Sequence, residues 1–277
     1  MKRYCLYLFI LIGISCSAEL KAQKNGTVYK GNDPAVRYTG RTLVSPDGSV
    51  AFDWVGTYLE TRFTGGKLSV KVSETGTSYY NVFVDGKLHK VVKVCGTDTL
   101  IHLVSGIDKR IHSLKIQKRS EGEFGKTTVH QFVLSGSGRL AEEPAVRTRH
   151  IEFIGNSLTC GYGTDGKHRD EPFLVETENC NLTFASMVAR YYDADYTLIA
   201  HSGRGAARNY GDSVRVSKVT MKDRMLNTFD EDLTHKWNFK EYRPDLVVIN
   251  LGSNDFSTEP HPYKSEFTKA YKQILAQ

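Results

Sequence analysis

Residues 135–163 read SGSGRLAEEPAVRTRHIEFIGNSLTCGYG, and the chain changes its period inside them. The Gly, Ser and Pro of residues 136–149, with mixed charge, mark a linker. After it comes an apolar run, HIEFIG, that ends in a glycine-containing loop. The same event recurs twice downstream, at YTLIAHSG and DLVVINLG. Between these runs lie helix-compatible stretches, FASMVARYYDA and roughly 213–229. Strand–loop–helix repetition predicts a parallel sheet with helices on its faces. In such sheets the loops at the carboxyl ends of the strands carry the chemistry, and all three glycine-containing loops lie at that end.

Upstream, over 25–140, short alternating runs separated by turn residues read as strands: VAFDW, TYLETRF, KLSVKVS, YYNVFVD, KVVKV, LIHLV, HSLKIQK and VHQFVLS. Asp85-Gly86 tolerates the positive φ of a type I′ turn and predicts a hairpin. About eight closely spaced strands predict a β-sandwich or jelly roll. Trp54 reads as sandwich core and Trp237 as packing between domains.

Lys2-Arg3, the apolar run YCLYLFILIGIS and the small residues after it form a secretory signal over 1–22. Cleavage is expected after Ala22 or Ala18, and the protein is expected in the periplasm or outside the cell. Lipidation at Cys16 fits less well, because Gly13 stands where a large aliphatic residue is usual. The signal run is too short to span a bilayer as a helix, and no later stretch is long and apolar enough to do so. The 37 basic and 31 acidic residues give a net +6, of which +2 belongs to residues 1–22. What remains is mild and unclustered, which argues against nucleic acid as a partner. Cys95, Cys160 and Cys180 remain after cleavage, without CxxC spacing, so no zinc site is expected. A Cys160–Cys180 disulfide is compatible with export, but small packed thiols are the favoured reading.

The first loop, Gly155 to Gly163, places Ser157 just after an apolar strand between glycines. A Ser there can sit on a tight turn into a helix with its hydroxyl exposed, the logic of a nucleophile elbow. A phosphate-cradling loop or an ordinary βα turn fits the same residues, although the Gly-Lys-Ser/Thr of a P-loop is absent. The second loop, His201 to Tyr210, brings glycine N–H groups close to a ligand. The third, Gly252-Ser253-Asn254-Asp255, puts a side-chain amide just past a strand, where it could also cap the next helix. An Asn amide and a Gly N–H converging on a Ser make an oxyanion hole.

With IEFIGNSLTCGYG, SGRGAARNY, VVINLGSNDF and the KRSE stretch (Lys118–Glu121) before the last strand of the first half, the chain resembles carbohydrate esterase family 2 of the SGNH/GDSL hydrolases. The resemblance implies an all-β jelly-roll or sandwich domain followed by a flavodoxin-like α/β hydrolase domain over 150–277. It further implies an exported enzyme that removes O-acetyl groups from plant polysaccharides such as xylan or glucomannan, without metal or cofactor. Ser157 is then the nucleophile, with Gly203 and Asn254 completing the oxyanion hole.

Two departures stand out. Asn156 replaces the Asp usual in the family's first motif. The general base, a His in a late Asp-x-x-His loop, is not found, since only 23 residues follow Asn254. The fourth and fifth strands of a 2-1-3-4-5 sheet are expected to be missing with it, leaving DLVVINLG at the edge. His261 in Glu-Pro-His-Pro has Thr258 rather than Asp three residues before it, and His201 reads as a strand-end residue. Tyr162 and Tyr210 could stack on sugar faces or serve packing. Arg204 and Arg208 could touch substrate, but shielding of the sheet rim is the favoured reading. The alternative function is non-catalytic: a truncated pseudoenzyme or a carbohydrate-binding remnant that lacks the general-base His.

Overall fold

The computed structural model describes residues 26–142 and 144–277; the expected signal, 1–22, lies outside them. The first half is all-β. Its strands are β1 (Gly26–Lys30), β2 (Val36–Thr39), β3 (Leu43–Val44), β4 (Val50–Phe52), β5 (Tyr58–Glu74), β6 (Thr77–Val84), β7 (Lys87–Cys95), β8 (Thr99–Lys118), β9 (Thr127–Ser135) and β10 (Arg139–Leu140). They form one hydrogen-bonded network ordered β3-β4-β9-β5-β8-β6-β7, with β1 on β9 and both β2 and β10 on β5.

TYLETRF and KLSVKVS are thus one strand, β5, and LIHLV and HSLKIQK are one strand, β8. The residues read as separators act as register shifts. Between Thr64 and Leu68 the β5–β8 ladder slips, with Gly66 at φ +84°. Inward residues of β5 are odd-numbered before the slip (Leu59, Phe63) and even-numbered after it (Leu68, Val70, Val72), as an inserted bulge residue requires. Both arms of β5 therefore feed a single core with Phe52, Val82, Leu103, Leu114 and Phe132. Asp85 and Gly86 both have positive φ (+50° and +75°), and they join β6 to β7 as expected.

The second half holds a parallel sheet ordered β12-β11-β13, from β11 (His150–Gly155), β12 (Asp195–Ala200) and β13 (Leu246–Ile249). Its helices are α1 (Ser157–Cys160), α2 (Phe184–Tyr191), α3 (Met221–Arg224) and α4 (Lys264–Leu275). The strand order is the expected one. β11 and β12 are nearly wholly buried, whereas Leu246 and Val247 of β13 are exposed at the sheet edge. The helix expected over 213–229 shrinks to the four residues of α3. Side-chain bonds hold the chain before it open: Asn209 Nδ2 donates to Val219 O (2.9 Å), and Ser217 Oγ accepts from Asn209 N–H (2.8 Å). The linker 136–149 is not free either, since β10 pairs with β5 and Arg147 reaches Asp195 (2.8 Å).

The two halves interlock. Trp54 is fully buried, but it packs with Ile154, Ile199, Ala206, Met221 and Ile274 of the second half, correcting its placement in the sandwich core. Tyr58 packs on Tyr196 and donates its hydroxyl to Asp195 (2.7 Å). Arg41, fully buried, donates to Met225 O (2.6 Å) and Asn227 O (2.9 Å). The reason is geometric: residues 53–57 leave β4 and cross to the parallel sheet before β5 begins at Tyr58. Trp237, by contrast, does pack at this junction, with Arg41 over its ring.

Candidate active site

β11 ends at Gly155, and a Cβ there would meet Thr159 Oγ1 at 2.0 Å, so only glycine lets α1 turn back so tightly. Ser157 is the first helical residue and is half-buried. Its N–H, like those of any first turn, has no partner four residues back. Asn156 is the N-cap, fully buried, and uses both ends of its amide. Oδ1 accepts from Leu158 N–H (3.2 Å), while Nδ2 donates to Ser253 Oγ (2.9 Å). A carboxylate could make the cap but not the donation, so Asn at this position has its own physical use.

The other two loops are fastened to this one. His201 N–H donates to Gly155 O (3.4 Å), linking the second loop to the end of β11. Asn254 Nδ2 donates to Arg204 O (2.8 Å), and its second amide hydrogen has no partner among the described residues. Gly203, at φ +74°, lies between these ties with nothing near its Cα side. Asp255, beside Asn254, has a role that sequence reasoning missed. It is fully buried, and its carboxylate accepts from Ala206 (3.0 Å), Ala207 (2.7 Å) and Arg208 N–H (2.8 Å). The signal was present as the acid beside Asn254, but its partners are fixed by tertiary structure.

Arg208 corrects the expectation of a rim residue. It is fully buried and donates to Val214 O (3.1 Å), Thr258 Oγ1 (3.0 Å) and Glu259 O (3.1 Å), stitching the second loop to the third. Arg204 is half-buried. Tyr162 is exposed and stacks on Phe173 at 3.7 Å and 11°, with Phe124 of the first half 5.7 Å beyond. Its N–H donates to Ser157 O (3.2 Å), so this aromatic surface adjoins the Ser157 turn. Tyr210 is exposed, and its N–H donates to Gly203 O (2.8 Å).

The histidines face acids. His201 is buried, with Nδ1 2.7 Å from Asp230 Oδ2 and Nε2 3.6 Å from Glu123 Oε2. Burial opposes its protonation, but the Asp230 carboxylate outweighs that and holds its pKa above the ordinary value. His261 is exposed, with Nδ1 3.3 Å from Glu259 Oε1. Neither hydrogen-bonds Ser157 among the described residues.

Three overlapping groups could hold a cation: Glu121/Cys160/Glu178, Glu121/Glu123/His201 and His201/Asp230/Glu231. Two of their acids already receive protein donors, Ser202 on Glu121 and Arg224 on Asp230. Cys160 and Cys180 are free, buried thiols, not the disulfide allowed by their spacing. Burial pushes the Cys180 thiol up to about 12, and its Sγ lies 3.4 Å from Lys118 O.

A sheet-rich half followed by a parallel-sheet half, with a Ser turn and an Asn loop fastened at its carboxyl edge, defines a GDSL-type hydrolase architecture. Residues 151–277 match the GDSL-like lipase/acylhydrolase family, and residues 38–144 match the carbohydrate esterase 2 N-terminal domain. The chain is 34% identical over 246 residues to the cellulase/esterase CelE of Acetivibrio thermocellus, covering 89% of this chain and 30% of that protein. It is 33% identical over 226 residues to an acetylxylan esterase/glucomannan deacetylase of Cellvibrio japonicus, covering 79% and 61%. The solved structure of a family two carbohydrate esterase from Clostridium thermocellum, in complex with cellohexaose, superposes with a TM-score of 0.82. That protein is 34% identical, and the match covers 87% of this chain and 72% of that one. The chain belongs to carbohydrate esterase family 2.

Proposed function

We propose that the protein is an exported serine esterase that removes O-acetyl groups from plant cell-wall polysaccharide, xylan or glucomannan, through an acetyl-serine intermediate. The observation that carries this reading is the fastening of the Ser157 turn to the loops bearing Gly203 and Asn254, through Asn156–Ser253, Asn254–Arg204 and Asp255. Relatives named as acetylxylan esterases and deacetylases supply the substrate class.

In this mechanism Ser157 Oγ attacks the acetyl carbonyl carbon and gives up its proton to a base. The oxyanion lies against the Ser157 and Gly203 N–H groups and the second hydrogen of the Asn254 amide. Collapse breaks the bond to the sugar oxygen, which takes the proton and leaves as a hydroxyl. Water then attacks the acetyl-serine by the same route and releases acetate. The tetrahedral geometry is favoured because donors fixed in advance cost no reorganisation during reaction. The base is a His expected from the family resemblance; neither His201 nor His261 hydrogen-bonds Ser157 among the described residues. The want of a base beside Ser157 among them favours one alternative, a protein that binds acetylated polysaccharide without turning it over.

Acetate release from acetylated xylan and acetylated glucomannan by the full-length protein separates the two. The esterase reading predicts turnover that Ser157→Ala abolishes and that Asn254→Ala lowers by roughly 10²–10³ in kcat, the usual effect of losing one oxyanion donor. Retention on the polysaccharide with no acetate released would establish the binding protein instead. Export predicts a mature N-terminus near Gln23 on protein recovered outside the cytoplasm; recovery of Met1 from the cytoplasm would contradict it.

A further inference from the structure

We propose that Glu121, contributed by the sheet-rich half, is a positioning residue that fixes the Gly203 N–H for the oxyanion, an inference that rests on the esterase reading above. Glu121 is fully buried, and both of its carboxylate oxygens are used on one residue. One accepts from the Ser202 N–H and the other from the Ser202 hydroxyl. Ser202 immediately precedes Gly203, and the Gly203 N–H is part of the peptide plane that Ser202 sets. Anchoring Ser202 at its own N–H and its side chain fixes the residue from which that plane extends, leaving ψ of Ser202 and φ of Gly203 as the plane's remaining freedom.

The other ties reach around Ser202 rather than holding it. His201 N–H is bound to Gly155 O and Arg204 O to Asn254, Arg204 N–H closes a turn on His201 O (3.3 Å) across the Ser202–Gly203 peptide, and Gly203 O accepts from Tyr210 N–H (2.8 Å). Gly203 itself, without a side chain, has the least resistance to reorientation of any residue. Glu121 closes that gap.

Glu121 is in turn held rigidly. Its N–H donates to Glu178 Oε2 (2.9 Å), and its carbonyl accepts from Lys118 Nζ (3.1 Å). Lys118 also donates to Ser78 Oγ (3.0 Å) and Ser120 O (3.0 Å). Arg119 Nε donates to Glu178 O (2.7 Å). All four residues from Lys118 to Glu121 are buried. Glu178 is kept in its neutral form by burial and by the charge of Glu121, so the two acids can lie side by side. The sheet-rich half is thereby part of the catalytic unit, through one carboxylate that crosses the junction.

The test uses the full-length protein with Glu121→Gln, Ser202→Ala and Ser157→Ala. It reads kcat and KM on an aryl acetate, the inhibition constant of phenylboronic acid, and the melting temperature. Phenylboronic acid forms a tetrahedral anionic adduct on an active serine, so its affinity reports the oxyanion site even where turnover is slow. Glu121→Gln should lower kcat by roughly 10- to 100-fold, less than outright loss of a donor. Boronate binding should weaken by a similar factor while KM stays near wild type. Ser202→Ala keeps the N–H tie and should shift the same two quantities by less; it carries the test if Glu121→Gln does not fold. Folded variants with a lower melting temperature but unchanged kcat and boronate affinity would overturn the proposal and leave Glu121 a structural tie. Ser157→Ala separates the two claims. If it matches wild type in rate and boronate binding, the esterase reading falls and the positioning role with it. If it is inactive while Glu121→Gln behaves as wild type, the positioning role alone falls.

Discussion

Glu178 shows how far a single side chain can depart from its usual state here. Its carboxyl is held above the usual carboxylate range, first by burial and then by the adjoining Glu121. The folded protein therefore keeps a proton that the unfolded chain releases. Such a group contributes stability at acid pH, and that contribution is lost as pH rises through and beyond the usual carboxylate range. Gln is neutral throughout. Glu178→Gln should accordingly unfold with a shallower loss of stability between pH 5 and pH 8 than wild type. The difference in slope can reach about 1.4 kcal/mol per pH unit, and parallel slopes in thermal unfolding would contradict it. Position after an apolar strand singled out Ser157, Gly203 and Asn254 as candidates, and the family resemblance implied their roles. Neither announced the roles of Asp255, Arg208 or Glu121. Their partners lie 47 or more positions away for Asp255, 50 and 51 for the links of Arg208 to the third loop, and 81 for Glu121, and no local pattern encodes them.

The elements that matter most are short. α1 has four residues, too few to be stable by its own hydrogen bonds, and it depends on Asn156 at its start. Asn156→Ala should remove the cap, worth ~0.5–2 kcal/mol, and also the donation to Ser253. The expected result in denaturant titration is a loss at or above the top of that range, with Ser157 chemistry impaired; a loss of a few tenths would show that the third loop is held without it. Periodicity located β11, β12, β13 and α2 correctly, since each is an apolar run or an amphipathic stretch of adequate length. It failed at 213–229, where side-chain bonds from Asn209 and Ser217 hold the backbone open. It also divided β5 and β8 in two, because glycines that mark turns in one context mark bulges in another. The ten-stranded network, rather than a set of short hairpins, follows from those two continuous strands.

At the scale of the whole molecule, the two halves share buried residues instead of merely touching. Trp54 and Tyr58 belong to cores of the parallel-sheet half, Arg41 reaches across the junction, and Glu121 lies under the Ser202 turn. An autonomous first half resistant to protease is therefore not the expected outcome; the halves should unfold together. Trp54→Ala should cost ~3–5 kcal/mol, as removal of a large buried aromatic does, and should lower one common transition. Two separated transitions, with only the second shifted, would show independent halves. The same interlocking bears on the proposed active site, because Glu121, which holds Ser202, comes from the other half. The most direct test of the central claim is to quench the full-length protein during turnover of an aryl acetate and map the acetyl group by peptide mass spectrometry. The account predicts one acetyl group, on Ser157, absent from Ser157→Ala. Turnover with no acetyl on Ser157, undiminished in Ser157→Ala, would contradict it.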